Sequence, residues 1–335
     1  MRRFRNALFC LALGQALLPA ADTALLSLVM PDAKVIAGAQ VNHVKNSPFG
    51  AFVLSHMQID DPDFQKFMAA TGFDPRRDLS ELLIASNSAR NDPSGWLILA
   101  KGTFDAARIQ GTAKSIGGAI TTYKGMAIVT LSAAHGASQA QKASSTAAIA
   151  FLDPSTAAMG TVDAVEAAID RRIARAGVAT GLAGKVQQIS SGNDFWFTTL
   201  VPLSEFADSM PDSNLAGALK GNLLQNVQQA SGGVKFGSNI VLTAEIATRS
   251  PQDASALVDV VKFIAGLIQT NRESDKTASK VSTVLDALRC SAQGNVMTMS
   301  LSIPEAALEQ MMDSMLQERR SQTKKNGPGG ATPNK

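Results

Sequence analysis

The side chains that most readily do chemistry in water are few in this sequence, and they stand apart. His43, His56 and His135 are its only imidazoles. No two have the i, i+4 spacing of a zinc-binding helix and none adjoins a cysteine, so each reads as a surface or packed ring. Asp60-Asp61-Pro62-Asp63 offers the clustered carboxylates that hold calcium. It lacks the glycine and distal glutamate of a binding loop, and Asp61 before Pro62 as a helix N-cap with Asp63 in the first turn explains the run fully. Gly181-Leu182-Ala183-Gly184-Lys185 resembles the end of a phosphate loop. Ala179 stands where that loop needs its first glycine, and Val186 where it needs the magnesium-binding hydroxyl. No G-x-S-x-G elbow occurs, and Ser144-Ser145 and Ser190-Ser191 lie in linker-like text. Arg76-Arg77 reads as a solvated turn. The methionines Met297, Met299, Met311, Met312 and Met315 read as core filling, with a pliable apolar groove as the other option. The sequence therefore names no catalytic residue, no cofactor-binding residue and no metal ligand, and implies no cofactor.

The ends of the chain carry a different message. Met1 to Asn6 is basic, Ala7 to Leu18 is apolar, and small residues follow at Ala16, Ala20 and Ala21. That order is the pattern of a secretory signal, residues 1–21, with cleavage near 16–21; Gly14-Gln15-Ala16 fits the small-x-small rule. The apolar run is too short to span a bilayer comfortably, so the mature chain is expected to have no transmembrane segment. Removal of the leader takes Cys10 with it and leaves Cys290 alone, which rules out an intramolecular disulfide. Residues 319–335 form a basic tail with nothing to bury, expected to be disordered. Arg2, Arg3, Arg5, Arg319, Arg320, Lys324, Lys325 and Lys335 are eight of the 31 basic residues, which leaves 23 against 28 acidic ones in the body. An acidic body is a poor partner for nucleic acid, where phosphate contacts dominate affinity. Aromatic residues are only 5% of the chain, which argues against stacked platforms for bases or sugars.

The elements that would position any site follow a recurring grammar. Trp96 to Leu131 reads as strand, amphipathic helix and hairpin: WLILAKG, FDAARIQGTAKSIGG, then AITTY-KG-MAIVTLS. Ile240 to Ile303 reads the same way: IVLTAEI, SPQDASALVDVVKFIAGLI, then LRCSA-QG-NVMTMSLSI. Lys34 to Val41 and Phe195 to Val201 read as strands that open each part. Ser47-Pro48 and Ser250-Pro251 read as helix starts. A second hairpin is expected around Asp153-Pro154-Ser155, followed by a helix capped by Thr161. A helical region carrying Leu203, Phe206, Leu215, Leu219, Leu223 and Val227 is expected after Phe195 to Val201. Strands joined by hairpins and helices predict an α+β fold. It is expected as two related halves, each a mainly antiparallel sheet with helices packed on one face: residues 22–176, a linker at 177–193, and 194–318. Whether the halves share one continuous sheet is open at this stage.

On the pair LILAKGTFDAARI and ITTYKGMAIV, and on the ending SIPEAALEQM, the layout resembles exported bacterial proteins of unknown function that carry duplicated α+β domains. The resemblance implies no activity and brings no functional residue with it. The expectation from sequence is an exported protein, periplasmic or extracellular, that is non-catalytic and mediates protein–protein interaction or assembly, its partner another envelope protein. Two alternatives stand beside it: a carrier of an apolar or amphipathic ligand held between helix and sheet and lined by Met and Leu, and a hydrolase whose dispersed site would set a histidine beside a serine or a carboxylate.

Overall fold

The computed structural model describes residues 20–56, 62–87, 95–131, 147–201, 225–270 and 284–314. The expected leader up to residue 19, Asp60 and Asp61, the turn cluster at 91–94, His135, the expected helical region at 203–223 and the basic tail lie outside the described residues; Val227, expected at the end of that helical region, instead begins a strand, where its side chain is buried against the sheet's helical cover.

In chain order the elements are α1 (Thr23–Leu26), β1 (Val35–Ala39), α2 (Val41–Asn46), α3 (Pro48–His56), α4 (Pro62–Thr71), α5 (Pro75–Asp78), β2 (Leu79–Ser86), β3 (Trp96–Gly102), α6 (Ala106–Ser115), β4 (Ala119–Tyr123), β5 (Met126–Leu131), β6 (Ala147–Asp153) and β7 (Thr156–Gly160). They continue with α7 (Val162–Ile173), α8 (Ala183–Ser190), β8 (Phe195–Thr199), β9 (Val227–Lys235), β10 (Asn239–Thr248), α9 (Pro251–Thr270), β11 (Arg289–Gln293), β12 (Val296–Pro304) and a last helix, α10, at 305–314. The fold is α+β, as the sequence predicts. No described helix is long and apolar enough to cross a membrane.

Local chemistry explains the boundaries. Ser47 Oγ accepts the Gly50 N–H at 2.9 Å and starts α3. Thr161 caps α7 through the Ala164 N–H. Ser250 Oγ accepts the Asp253 N–H at 3.2 Å, while its hydroxyl donates to the Asp253 carboxylate at 2.7 Å, so α9 begins on a paired cap. Between β4 and β5, Lys124 and Gly125 both adopt positive φ, at 47° and 84°. That is the two-residue turn whose twist matches the flanking strands.

The twelve strands of the described residues form one antiparallel sheet in the order β11-β12-β10-β9-β8-β1-β2-β3-β7-β6-β5-β4. The open question of one sheet or two is answered at the β1–β8 pair, where Ile36 faces Thr198 and Gly38 faces Trp196. The Trp196 indole lies across Gly38 so closely that a Cβ there would come within 2.3 Å of Cζ2. The strand–helix–hairpin order does recur, but the pairing does not. β12 lies directly on β10, whereas the β6–β7 hairpin stands between β3 and β5. Inserting two antiparallel strands keeps the direction of the next strand, so the same grammar fits both places. Residues 177–193, expected as a linker, include α8, with Leu182, Val186 and Ser190 buried.

The helices occupy both faces of the sheet rather than one. On the front face, α1, α7 and α8 cover Ile36, Leu83, Leu97, Leu99, Ala150 and Trp196. On the back face, α4 and α6 lie over Ile98, Ile149 and Met159, and α9 covers Ala230, Ile246 and Met297. The reason lies in the strands themselves. β2 and β3 read LSELLIAS and WLILAKG, with apolar side chains at both parities, so both faces must be shielded from water. The Met297 and Met299 stripe belongs to the packing under α9.

Candidate functional site

Where α4 and α6 stand off the back face, they leave a cavity of about 330 Å³. Its aromatic wall is built by Phe73 on Phe104 (ring centroids 5.5 Å apart) and Phe104 on Phe151 (5.6 Å). Ile98 and Met159 form the sheet floor, and Phe67 and Ile116 stand at the rim, 43% and 71% exposed. The geometry is set by the end of α4. Gly72, at φ +72°, turns the chain toward Phe73. The Arg108 guanidinium of α6 donates to the carbonyls of Ala70 at 2.9 Å and Ala69 at 2.7 Å, which satisfies the open C-terminus of α4 and fixes the two helices together. A Cβ at residue 72 would meet that guanidinium at 2.6 Å.

The chemistry of the cavity is apolar throughout. Thr71 and Thr112 bring the only hydroxyls of the lining, and both donate back to helix carbonyls, at Phe67 and at Arg108 and Ala70. Among the described residues no titratable side chain lines it. Such a space offers, among the described residues, no acid, base, nucleophile or metal ligand; it offers shape and an apolar lining.

A second depression, of about 620 Å³, lies on the front face of β9 to β12. Its floor carries Thr243, Glu245, Thr298 and Ser300, and Lys185 of α8 reaches Glu245 at 2.7 Å. It is the larger of the two, but its polar floor faces outward and its one close charge pair is already matched. Cys290 borders it with a thiol that burial holds above its usual pKa, the opposite of an activated nucleophile.

A buried polar row crosses the centre of the front face. Asp194, Gln40, Glu81 and Lys101 follow one another across β8, β1, β2 and β3, at or just beyond the strand ends. Asp194 is wholly buried; its carboxylate accepts the Phe236 N–H at 2.6 Å, and His43 Nδ1 lies 2.7 Å from its other oxygen. That close approach is not a well-directed hydrogen bond, so Oδ1 lacks one, as do buried Gln40 Nε2 and Trp196 Nε1. Glu81 accepts the Asp22 N–H at 3.0 Å. Burial pushes its carboxyl up to about 7, with the Gln40 side chain pulling the other way. Lys101 is ion-paired with the Asp22 carboxylate.

Among the described residues, those singled out from sequence are not gathered into one site. His43 meets Asp194 and lines neither cavity. His56 closes α3. Among the described residues no group of three His, Cys, Asp or Glu side chains converges as metal ligands. Arg76 and Arg77 form surface ion pairs with Asp74 and Asp78, whose carboxyls they hold below the usual range. Lys185 pairs with Glu245, outside any phosphate-loop geometry. The cavity residues went unnoticed in the sequence because each reads as ordinary core; the available signal was the apolar stripe Ile109, Ala113, Ile116 on α6. No protein family, no curated protein and no solved structure matches this chain.

Proposed function

We propose that this is an exported, non-catalytic protein that binds a small uncharged apolar molecule, or the apolar end of an amphipathic one, in the cavity under α4 and α6. The observation that carries the reading is a space of about 330 Å³ walled by Phe73, Phe104, Phe151, Ile98 and Met159, with no titratable group in its lining among the described residues. Core packing leaves few voids larger than water, and ligand pockets begin near this size, about 300 Å³. An apolar cavity of about 150 Å³ accommodates benzene; by that measure this one holds about 13 heavy atoms. A charged head group has no partner inside and would remain at the rim, by Phe67 and Ile116.

The test has two arms. Organic extraction of the purified protein followed by mass spectrometry is expected to recover a stoichiometric apolar compound. The emptied protein is expected to bind naphthalene, whose ten carbons fit the volume, with saturable change in its fluorescence. A clean extract together with no saturable naphthalene binding refutes the reading.

One observation favours a second reading, contact with another envelope protein. Ile84 and Phe197 flank Ala37 on the back face as cross-strand neighbours, and both side chains are exposed; exposed apolar clusters mark interaction surfaces. In-cell crosslinking of an exported, tagged copy against a leader-deleted control separates the readings. A partner lost on Phe197→Ser, with naphthalene binding unchanged, would support the second.

A further inference from the structure

Residues 21–33 are not a leader remnant but a strap built into the front-face core. Ala21, Leu25, Leu26, Leu28 and Val29 are each at most 2% exposed. The backbone is held as firmly as the side chains. Ala21 N–H donates to Ser190 Oγ at 2.9 Å, and the Ala21 carbonyl accepts Gln187 Nε2 at 3.4 Å, both from α8. Asp22 N–H donates to Glu81 of β2, and the Asp22 carboxylate pairs with Lys101 of β3. At the far end, Arg171 Nε of α7 donates to the Leu28 carbonyl at 2.9 Å. The strap thus meets Glu81 and Lys101 of the polar row and ties α7 and α8 to the centre of the sheet.

This geometry bears on proteolytic processing. The pattern of basic, apolar and small residues offers scissile bonds anywhere from Ala16 to Ala21. A cut after Ala21 would remove a buried residue and both of its hydrogen bonds to α8. A cut further on would expose Glu81 and Lys101 together with the leucines of α1. We infer that a leader peptidase cuts this chain on the N-terminal side of Ala21, within residues 16–21, and that residues 21–33 remain as a permanent strap of the mature fold. The small residues Ala16 and Ala20 supply the side chains such a peptidase accepts next to the scissile bond. Ala21 itself serves the fold.

The inference rests on the exported reading but not on ligand binding in the cavity. Its test is the intact mass and N-terminal peptide of the full chain, expressed with its own leader in a bacterial host and recovered from outside the cytoplasm. A first residue between Leu17 and Ala21 is expected. A chain that begins at Asp22 or later, or one recovered only with its leader intact, overturns the inference. Neither result depends on naphthalene binding, so failure here and failure of the cavity reading are told apart.

Discussion

Ala100→Phe tests whether the space under α4 and α6 is real and is the binding site. Ala100 lies on β3 between Leu82 and Ala157 and faces the cavity. The substitution adds six ring carbons, which at the benzene measure fill about 150 Å³ of the roughly 330 Å³ present. The remainder admits a benzene-sized molecule but not naphthalene, so naphthalene binding should weaken at least tenfold. Cavities destabilise by about 24 cal/mol per Å³, so filling about 150 Å³ recovers at most about 3.6 kcal/mol. Strain from imperfect fit takes back about 1–3 kcal/mol. The ligand-free variant should therefore be at least as stable as the parent, and about 1 kcal/mol more stable if the ring seats well. Urea unfolding at constant m and a naphthalene titration measure both quantities. Two results would refute the reasoning: a loss above about 3 kcal/mol, which means the site is already full of protein, or unchanged naphthalene binding, which places the ligand elsewhere.

Other perturbations probe the framework. Gly38→Ala sets a methyl 2.3 Å from Trp196 Cζ2 at the β1–β8 seam and should destabilise by about 1–3 kcal/mol; a variant as stable as the parent in urea would show that the indole moves aside freely. Arg108→Ala frees two carbonyls at the end of α4 and should cost about 1 kcal/mol, read as faster hydrogen exchange in α4; unchanged exchange there would remove Arg108 from the account. Glu81 has a folded pKa raised from 4.5 to about 7, so its contribution is fully present below about pH 4.5 and is lost as pH rises through about 7. The full span is about 3 kcal/mol. Unfolding free energies between pH 5 and 8 should show this decline in the parent and not in Glu81→Gln; a parent and variant with the same slope would disprove it. Asp74, Asp78 and Asp253 have lowered pKa values, so their contributions are present at neutral pH and fade only as acid brings the pH below the ordinary carboxylate range.

Much of the local structure was legible because it depends on neighbours in the chain. Ser47-Pro48, Thr161 and Ser250 mark helix starts through bonds to residues only three positions away. Lys124-Gly125 marks a hairpin because few other pairs tolerate two positive φ values in succession. The short apolar run in LSELLIAS marks a strand, and its apolar residues at both parities already required cover on two faces, which the expectation of helices on one face overlooked. The composition likewise gave the excess of acidic over basic residues between the two basic ends.

What tertiary structure alone decided is every relation between distant segments. Nothing in the hairpin texts tells that β6–β7 will stand between β3 and β5 while β12 lies directly on β10, because strand order is chosen by packing of whole faces rather than by the strands' own pattern. His43 and Asp194 are 151 positions apart in sequence and 2.7 Å apart in space. Phe67, Phe104 and Phe151 each read as core residues, and they wall a cavity only because α6 is pinned to the end of α4 by Arg108. Ala21 reads as the last small residue of a leader, yet contacts with α8, more than 160 positions away, make it part of the core. Local bonds write themselves into the sequence; a site made of long-range contacts exists only once the sheet has closed around it.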